Sequence, residues 1–164
     1  MIRLIPNGNI FTSGAEAITV TTNTHGIHGA GIALKARDLY PATAEQYTRQ
    51  CRLGLIAPGS VWAAHTNVTG QDQWLLYCAT KDSPRRDSQI EWVDGCLAGI
   101  VQWCRENRPR SLGVCALGAG CGRLPWSTVE PRIMAALGQL PDTMAVMVFA
   151  PHERSTNVRG RRLR

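Results

Sequence analysis

Six short apolar segments separated by amphipathic stretches set the narrowest limit on how this chain can fold. Leu112–Leu117 (LGVCAL) and Met144–Ala150 (MAVMVFA) are apolar at nearly every position. A strand of that kind is buried on both faces. Ala17–Thr22 (AITVTT) is rich in β-branched residues and reads as a third strand. Ile2–Ile5, ended by the turn signal Pro6-Asn7-Gly8, is a fourth. Val61–His65 and Trp74–Ala79 complete the set, and the Gly70 region between them suits a hairpin-like connection. The intervening stretches carry helical periodicity. In Ser88–Asn107, the residues Ile90, Val93, Leu97, Ile100, Val101 and Cys104 recur at helical spacing. Ile32–Tyr40, stopped by Pro41, and Thr43–Leu53, stopped by Gly54, are two further helices. Ser127–Leu137 opens with Ser127 as N-cap and Glu130 three residues on. Strands buried on both sides need helices on both sides, so the expected fold class is α/β, a three-layer α/β/α sandwich.

The chain of 164 residues has the size of one domain. Such a domain buries ~70% of its unfolded surface and needs neither disulfide nor metal to hold a core. With 44% hydrophobic and 18% charged residues it is not a disordered chain. It lacks both an 18-residue apolar run and the apolar N-terminal stretch of a secretory signal, which sets the expectation of a soluble, cytoplasmic protein with no membrane contact.

The +6 net charge is unevenly spread, because residues 153–164 hold five Arg against one Glu and leave only +2 on residues 1–152. The expected division is therefore a domain over residues 1–152 and a basic tail over 153–164. That tail reads either as a phosphate-seeking arm or as a solvated terminus. Six cysteines (51, 78, 96, 104, 115 and 121) form no CxxC or CxxH pattern, so they are expected to be small buried hydrophobes. Cys121 differs in position, since it sits inside a glycine loop.

Two glycine-rich loops, Gly26–Gly31 (GIHGAG) and Gly118–Gly122 (GAGCG), each follow a strand and open toward a helix. In an open α/β sheet that edge is where ligands bind. Glycines let backbone N–H groups approach closely, and a helix N-terminus favours an anion. Two such loops suit a diphosphate gripped from both sides, although neither fits the GxxxxGK[ST] or GxGxxG patterns. His25 and His28 flank the first loop but lack the carboxylate and third ligand of a zinc site, so no metal is expected.

The stretch GNIFTSGAEAITVTTNTHGIHGAGIALKARDLYP resembles the opening of a macrodomain, the ADP-ribose-binding fold. CRLGLIAPGSVW, YCATKDSPRRDSQIEWVDGCL and LGAGCGRLPWSTVEPRI continue the match in order, over about residues 8–137. The resemblance is to the branch containing the terminal ADP-ribose protein glycohydrolase and the DarG antitoxins, which remove ADP-ribose from thymidine bases in DNA. It implies a mixed central sheet between the helix layers. By the same resemblance Asn9 and Ile10 stand where the family contacts adenine, and Asn23 sits by the ribose nearest the scissile bond. His28, Gly29, Ala30, Gly31 and Ile32 match the first phosphate-and-ribose loop. Gly118, Ala119, Gly120, Cys121, Gly122 and Arg123 match the second, and Lys81 falls at the DarG-type catalytic lysine.

Composition adds to the case for Lys81. The chain uses sixteen Arg and only two Lys, Lys35 and Lys81. An amine can lose its proton and act as base, acid or nucleophile, whereas guanidinium stays charged. Departures from the family bear on the mechanism. Val20 replaces the first asparagine of NxxN, Arg37 stands where the glycohydrolase branch has a helix lysine, and Gly122 stands where it has an aspartate. GGLDW of the DarG type becomes Gly122-Arg123-Leu124-Pro125-Trp126. A lysine–aspartate mechanism is therefore not expected, and one centred on Lys81 is.

The expected function is hydrolysis of an ADP-ribosyl linkage, with Lys81 and Asn23 catalytic, water as second substrate and no cofactor. The substrate is ADP-ribose on a larger partner, with DNA the leading candidate. A toxin partner is implied by the resemblance, and a monomer is expected. The competing readings are a reader or sponge that binds ADP-ribose without turnover, and a hydrolase of protein-linked or free ADP-ribose derivatives.

Overall fold

The computed structural model describes residues 1–152, so the expectation of a basic tail over 153–164 lies outside the described residues. Six strands, β1 (Ile2–Ile5), β2 (Ala17–Asn23), β3 (Val61–Thr66), β4 (Gln73–Lys81), β5 (Ser111–Val114) and β6 (Ala145–Phe149), form one sheet in the order β1-β6-β5-β2-β4-β3. Every neighbouring pair is parallel except β3 with β4, where His65 faces Trp74 across an antiparallel hairpin. The sheet is mixed, as expected. Helices α1 (Gly31–Leu39) and α2 (Pro41–Arg52) pack on each other, and so do α3 (Ile90–Asn107) and α4 (Trp126–Leu137).

β2 lies at the centre of the sheet, and Ala17, Ile18, Thr19 and Val20 on it are fully buried. Its parallel neighbours β4 and β5 carry the buried runs Leu75–Ala79 and Leu112–Val114. This arrangement brings the carboxyl ends of β2, β4, β5 and β6 to one edge. Among the described residues no helix is long and apolar enough to cross a membrane. Cys78, Cys96, Cys104 and Cys115 are buried free thiols, Cys51 is half-buried and Cys121 is exposed.

Several boundaries differ from the sequence expectation, and at three of them the hydrogen bonds show why. β5 ends at Val114 rather than Leu117, because the Cys115 N–H leaves the ladder and donates to Thr19 Oγ1 at 2.9 Å. The Leu117 N–H then turns back to the Cys115 carbonyl at 2.8 Å. Ser127 is not the N-cap of α4. Pro125 occupies that position without a side-chain bond, and its carbonyl accepts from the N–H groups of Thr128 and Val129. Ser88 stays outside α3, its N–H donating to the Gly122 carbonyl at 2.9 Å.

Candidate functional site

A cleft of about 680 Å³ opens at the carboxyl edge of the sheet, within the ~300–1,000 Å³ range of small-molecule sites. Its walls come from both glycine loops. Gly29–Gly31 and Ile32 form one side, and Cys115, Ala116 and Gly118–Gly122 the other. Among the described residues, the N–H groups of Gly29, Ala30, Gly120, Cys121 and Gly122 find no acceptor in backbone or side chain. α1 begins at Gly31 behind Ala30, which makes no side-chain cap, so its first N–H groups are also unpaired. Unpaired donors at a helix N-terminus form a site for an anion.

The local conformation explains why glycines are needed here. Gly31 and Gly118 adopt φ of +57° and +72°, a region costly for residues with a Cβ. Gly122 is constrained by space instead, since a Cβ there would run into Ser88 Oγ and the Gly118 backbone. Gly120 is the opposite case, with nothing within 4 Å of where a Cβ would stand.

Asn23 ends β2 and is buried. Its Oδ1 accepts from the N–H groups of His25 at 3.0 Å and Ile27 at 3.3 Å, and its Nδ2 donates to the Ile27 carbonyl at 2.9 Å. The side chain thus moulds the turn that leads into the first glycine loop, with one Nδ2 hydrogen left over. α2 holds the same turn from behind. Tyr47 Oη donates to the Asn23 carbonyl at 2.9 Å, and Thr48 Oγ1 to the Gly26 carbonyl at 2.8 Å. Tyr47 stacks on Tyr77 with ring centroids 4.9 Å apart, and burial pushes its phenol well above the usual tyrosine range.

Lys81 ends β4 directly opposite Asn23, after a register shift in the β2–β4 ladder. It lines the cleft, is half-buried and, among the described residues, makes no ion pair. Asp82 beside it pairs with Arg86 at 3.2 Å instead. A cation unshared with any carboxylate therefore stands at the same end of the cleft as the Asn23 turn.

Asn9 and Ile10 also line the cleft, at its other end. Asn9 Oδ1 caps a single 3-10 turn (Ile10–Thr12) by accepting from the Phe11 N–H at 3.0 Å, and Ile10 is buried in the core beneath it. Two sequence-predicted site residues stand elsewhere. His28 is buried with its ring edge against Tyr47 and Tyr77, and it is not among the cleft-lining residues. Desolvation lowers its pKa from 6.5. Arg123 is exposed, faces Asp87 at 3.8 Å and does not line the cleft either.

Sequence reasoning missed Lys35, which lines the cleft. The signal was present, because position 35 is one turn beyond Gly31 and so shares its face of α1. Arg37, two residues on, is exposed and pairs with Asp38. Phe11, Phe149 and His152 are further lining residues, brought together by the adjacency of β6 and β1. Among the described residues, no cluster of three potential metal ligands occurs.

Comparison with known proteins places this geometry. The Macro domain family model matches residues 20–133. A DNA ADP-ribosyl glycohydrolase of Thermus aquaticus is 33% identical over 153 residues, which is 93% of this chain and 42% of that protein. A Mycobacterium tuberculosis protein of the same description is 30% identical over 94% of this chain and 44% of its own. The chain thus spans less than half the length of these curated relatives. The solved macrodomain of Thermus aquaticus DarG superposes with a TM-score of 0.84 at 31% identity, covering 92% of this chain and 99% of that one. Thermosipho africanus DarTG in complex with ADP-ribose gives a TM-score of 0.85 at 26% identity, over 93% of this chain and 42% of that one.

Proposed function

Because the chain belongs to the Macro domain family, we propose that its cleft binds ADP-ribose and that it hydrolyses the bond joining ADP-ribose to a base in DNA. The diphosphate lies between the two sets of free N–H groups, the adenine beside Asn9, and the terminal ribose at the Asn23 and Lys81 end. Asn23 orients that ribose with its remaining Nδ2 hydrogen, and Lys81 promotes cleavage. In the net reaction the ribose C1″–nitrogen bond breaks, the oxygen of water joins C1″, and a proton passes to the departing base. The observation that carries the reading is Lys81 itself, a half-buried amine lining the cleft opposite Asn23 with no carboxylate partner among the described residues.

The Thermus and Mycobacterium relatives, described as DNA ADP-ribosyl glycohydrolases, support the base-linked substrate. A Thermosipho africanus relative described as a fusion of a DNA ADP-ribosyl transferase and a glycohydrolase supports a toxin partner of the transferase class. A lysine–aspartate mechanism is unsuited to this loop, because Gly122 has no room for a side chain.

The second reading is a reader that binds without turnover. Of the departures from the family pattern, Val20, fully buried in β2, and Pro125, which does not line the opening, lie outside the cleft. The test is release of ADP-ribose from an ADP-ribosylated single-stranded oligonucleotide by the purified chain. Micromolar binding of ADP-ribose, ~−8 kcal/mol, without any release identifies a reader.

A further inference from the structure

Ile27 is a large apolar side chain that lines the cleft and is left 49% exposed. It is nevertheless firmly held, because Asn23 bonds both its N–H and its carbonyl, and Thr48 fixes the carbonyl of Gly26 before it. Pro84 is a second apolar group lining the cleft, three residues beyond Lys81 on the β4–α3 connection. Asn23 and Lys81 are partners across the β2–β4 ladder, so Ile27 and Pro84 belong to the two chain segments that leave this pair. Arg85 follows Pro84 and is exposed. Among the described residues it makes no ion pair, whereas nearby Arg86 and Arg123 face Asp82 and Asp87.

We propose that Ile27 and Pro84 form a subsite for the nucleobase that leaves, and that Arg85 takes a phosphate of the single DNA strand carrying it. The inference rests on the base-linked reading above and names the residues that recognise the part of the substrate beyond ADP-ribose. An aliphatic side chain suits the methyl group of thymine, which proteins read by apolar contact. Arg85, which follows Pro84 in the chain and makes no ion pair among the described residues, complements a strand that carries one phosphate per nucleotide.

The test uses the full chain carrying Lys81→Ala, so that ligand is not consumed. Dissociation constants are measured for ADP-ribose, for ADP-ribosylated thymidine and for an ADP-ribosylated single-stranded oligonucleotide. With the native Ile27, the nucleoside conjugate should bind about tenfold more tightly than ADP-ribose. Ile27→Ser should erase that advantage and Ile27→Leu should keep it. Arg85→Ser should leave the nucleoside advantage intact, weaken the oligonucleotide and lower its salt slope by ~0.7. Equal affinities for ADP-ribose and the nucleoside conjugate with Ile27 in place would overturn the subsite. So would an Ile27→Ser loss that is the same for all three ligands, which marks a collapsed loop. Absence of ADP-ribose binding altogether would overturn the proposed function as well, and it is the one outcome that does so.

Discussion

Replacing Lys81 separates an enzyme from a reader, because the two depend on this side chain in different states of the ligand. Lys81 makes no ion pair among the described residues, so its removal leaves no buried carboxylate behind. Its half-buried position at the end of β4 also makes its truncation mild for the fold. In the bound ground state its charge acts on the diphosphate through solvent. At ~10 Å in water each phosphate charge contributes ~0.4 kcal/mol, or ~0.8 for two, a factor of about four in affinity. At the reacting ribose the same amine works only as the bond breaks, and such an interaction lowers the barrier without tightening binding. Lys81→Ala should therefore cut turnover on ADP-ribosylated DNA a hundredfold or more, ~2.7 kcal/mol in barrier. ADP-ribose affinity should fall by less than about fivefold, ~1 kcal/mol. The assay pairs single-turnover release of ADP-ribose with calorimetric titration of the free ligand. Lys81→Arg is the sharper variant, since it keeps the charge and removes the titratable amine. It should be nearly as inactive as Lys81→Ala. Full activity in Lys81→Arg would refute the proton-transfer or nucleophile role and leave an electrostatic clamp.

Gly120→Glu should abolish ADP-ribose binding in calorimetry while leaving the thermal midpoint unchanged, because the added side chain has open space. A like charge ~4 Å from a phosphate costs ~4 kcal/mol at an effective dielectric near 20, and wild-type affinity would show that this loop does not face the diphosphate. Gly122→Asp should fail to create a lysine–aspartate pair and instead lower stability by ~2–3 kcal/mol in urea unfolding, as overpacking does. A stable, more active variant would mean that the loop repacks around the new side chain. The His28 pKa is lowered in the folded state by burial, so the unfolded chain binds the extra proton as pH falls. The stability it contributes is present above pH 6.5 and declines as pH drops through 6.5 toward the lowered folded value. His28→Phe should preserve the packing against Tyr47 and Tyr77 and flatten that part of the stability profile between pH 7 and 5. An unchanged slope would locate the acid sensitivity in other groups.

What the sequence made legible, and what it hid, follows from how far apart the deciding residues lie. The alternation of six strands and four helices rests on local patterns, and the sheet reproduces it with shifts of a few residues. β5 is shorter than its apolar run because Thr19, ninety-six residues from Cys115, takes the N–H that would have continued the ladder. The glycine loops were legible from their spacing and their place between a strand and a helix, and both line the cleft. His28 was not readable in the same way. It sits between Ile27 and Gly29, both of which line the opening, yet its ring turns inward toward Tyr47 and Tyr77 on two other elements.

Strand order decides the remainder. β6 lies between β1 and β5, so Phe149 and His152 return beside Asn9 from the far end of the described chain. No local pattern encodes that neighbourhood. The same reasoning explains why the departures at Val20 and Gly122 weigh differently once their places are known. Val20 sits within β2 with both faces covered, so a polar residue there could not have reached a ligand without breaking the core. Gly122 lies in the cleft wall but is pressed against Ser88 and Gly118, so its lack of a side chain is a packing requirement before it is a catalytic loss. Of the two amines that line the cleft, Lys81 is the one that stands opposite Asn23, and the chemistry proposed for this site runs through it.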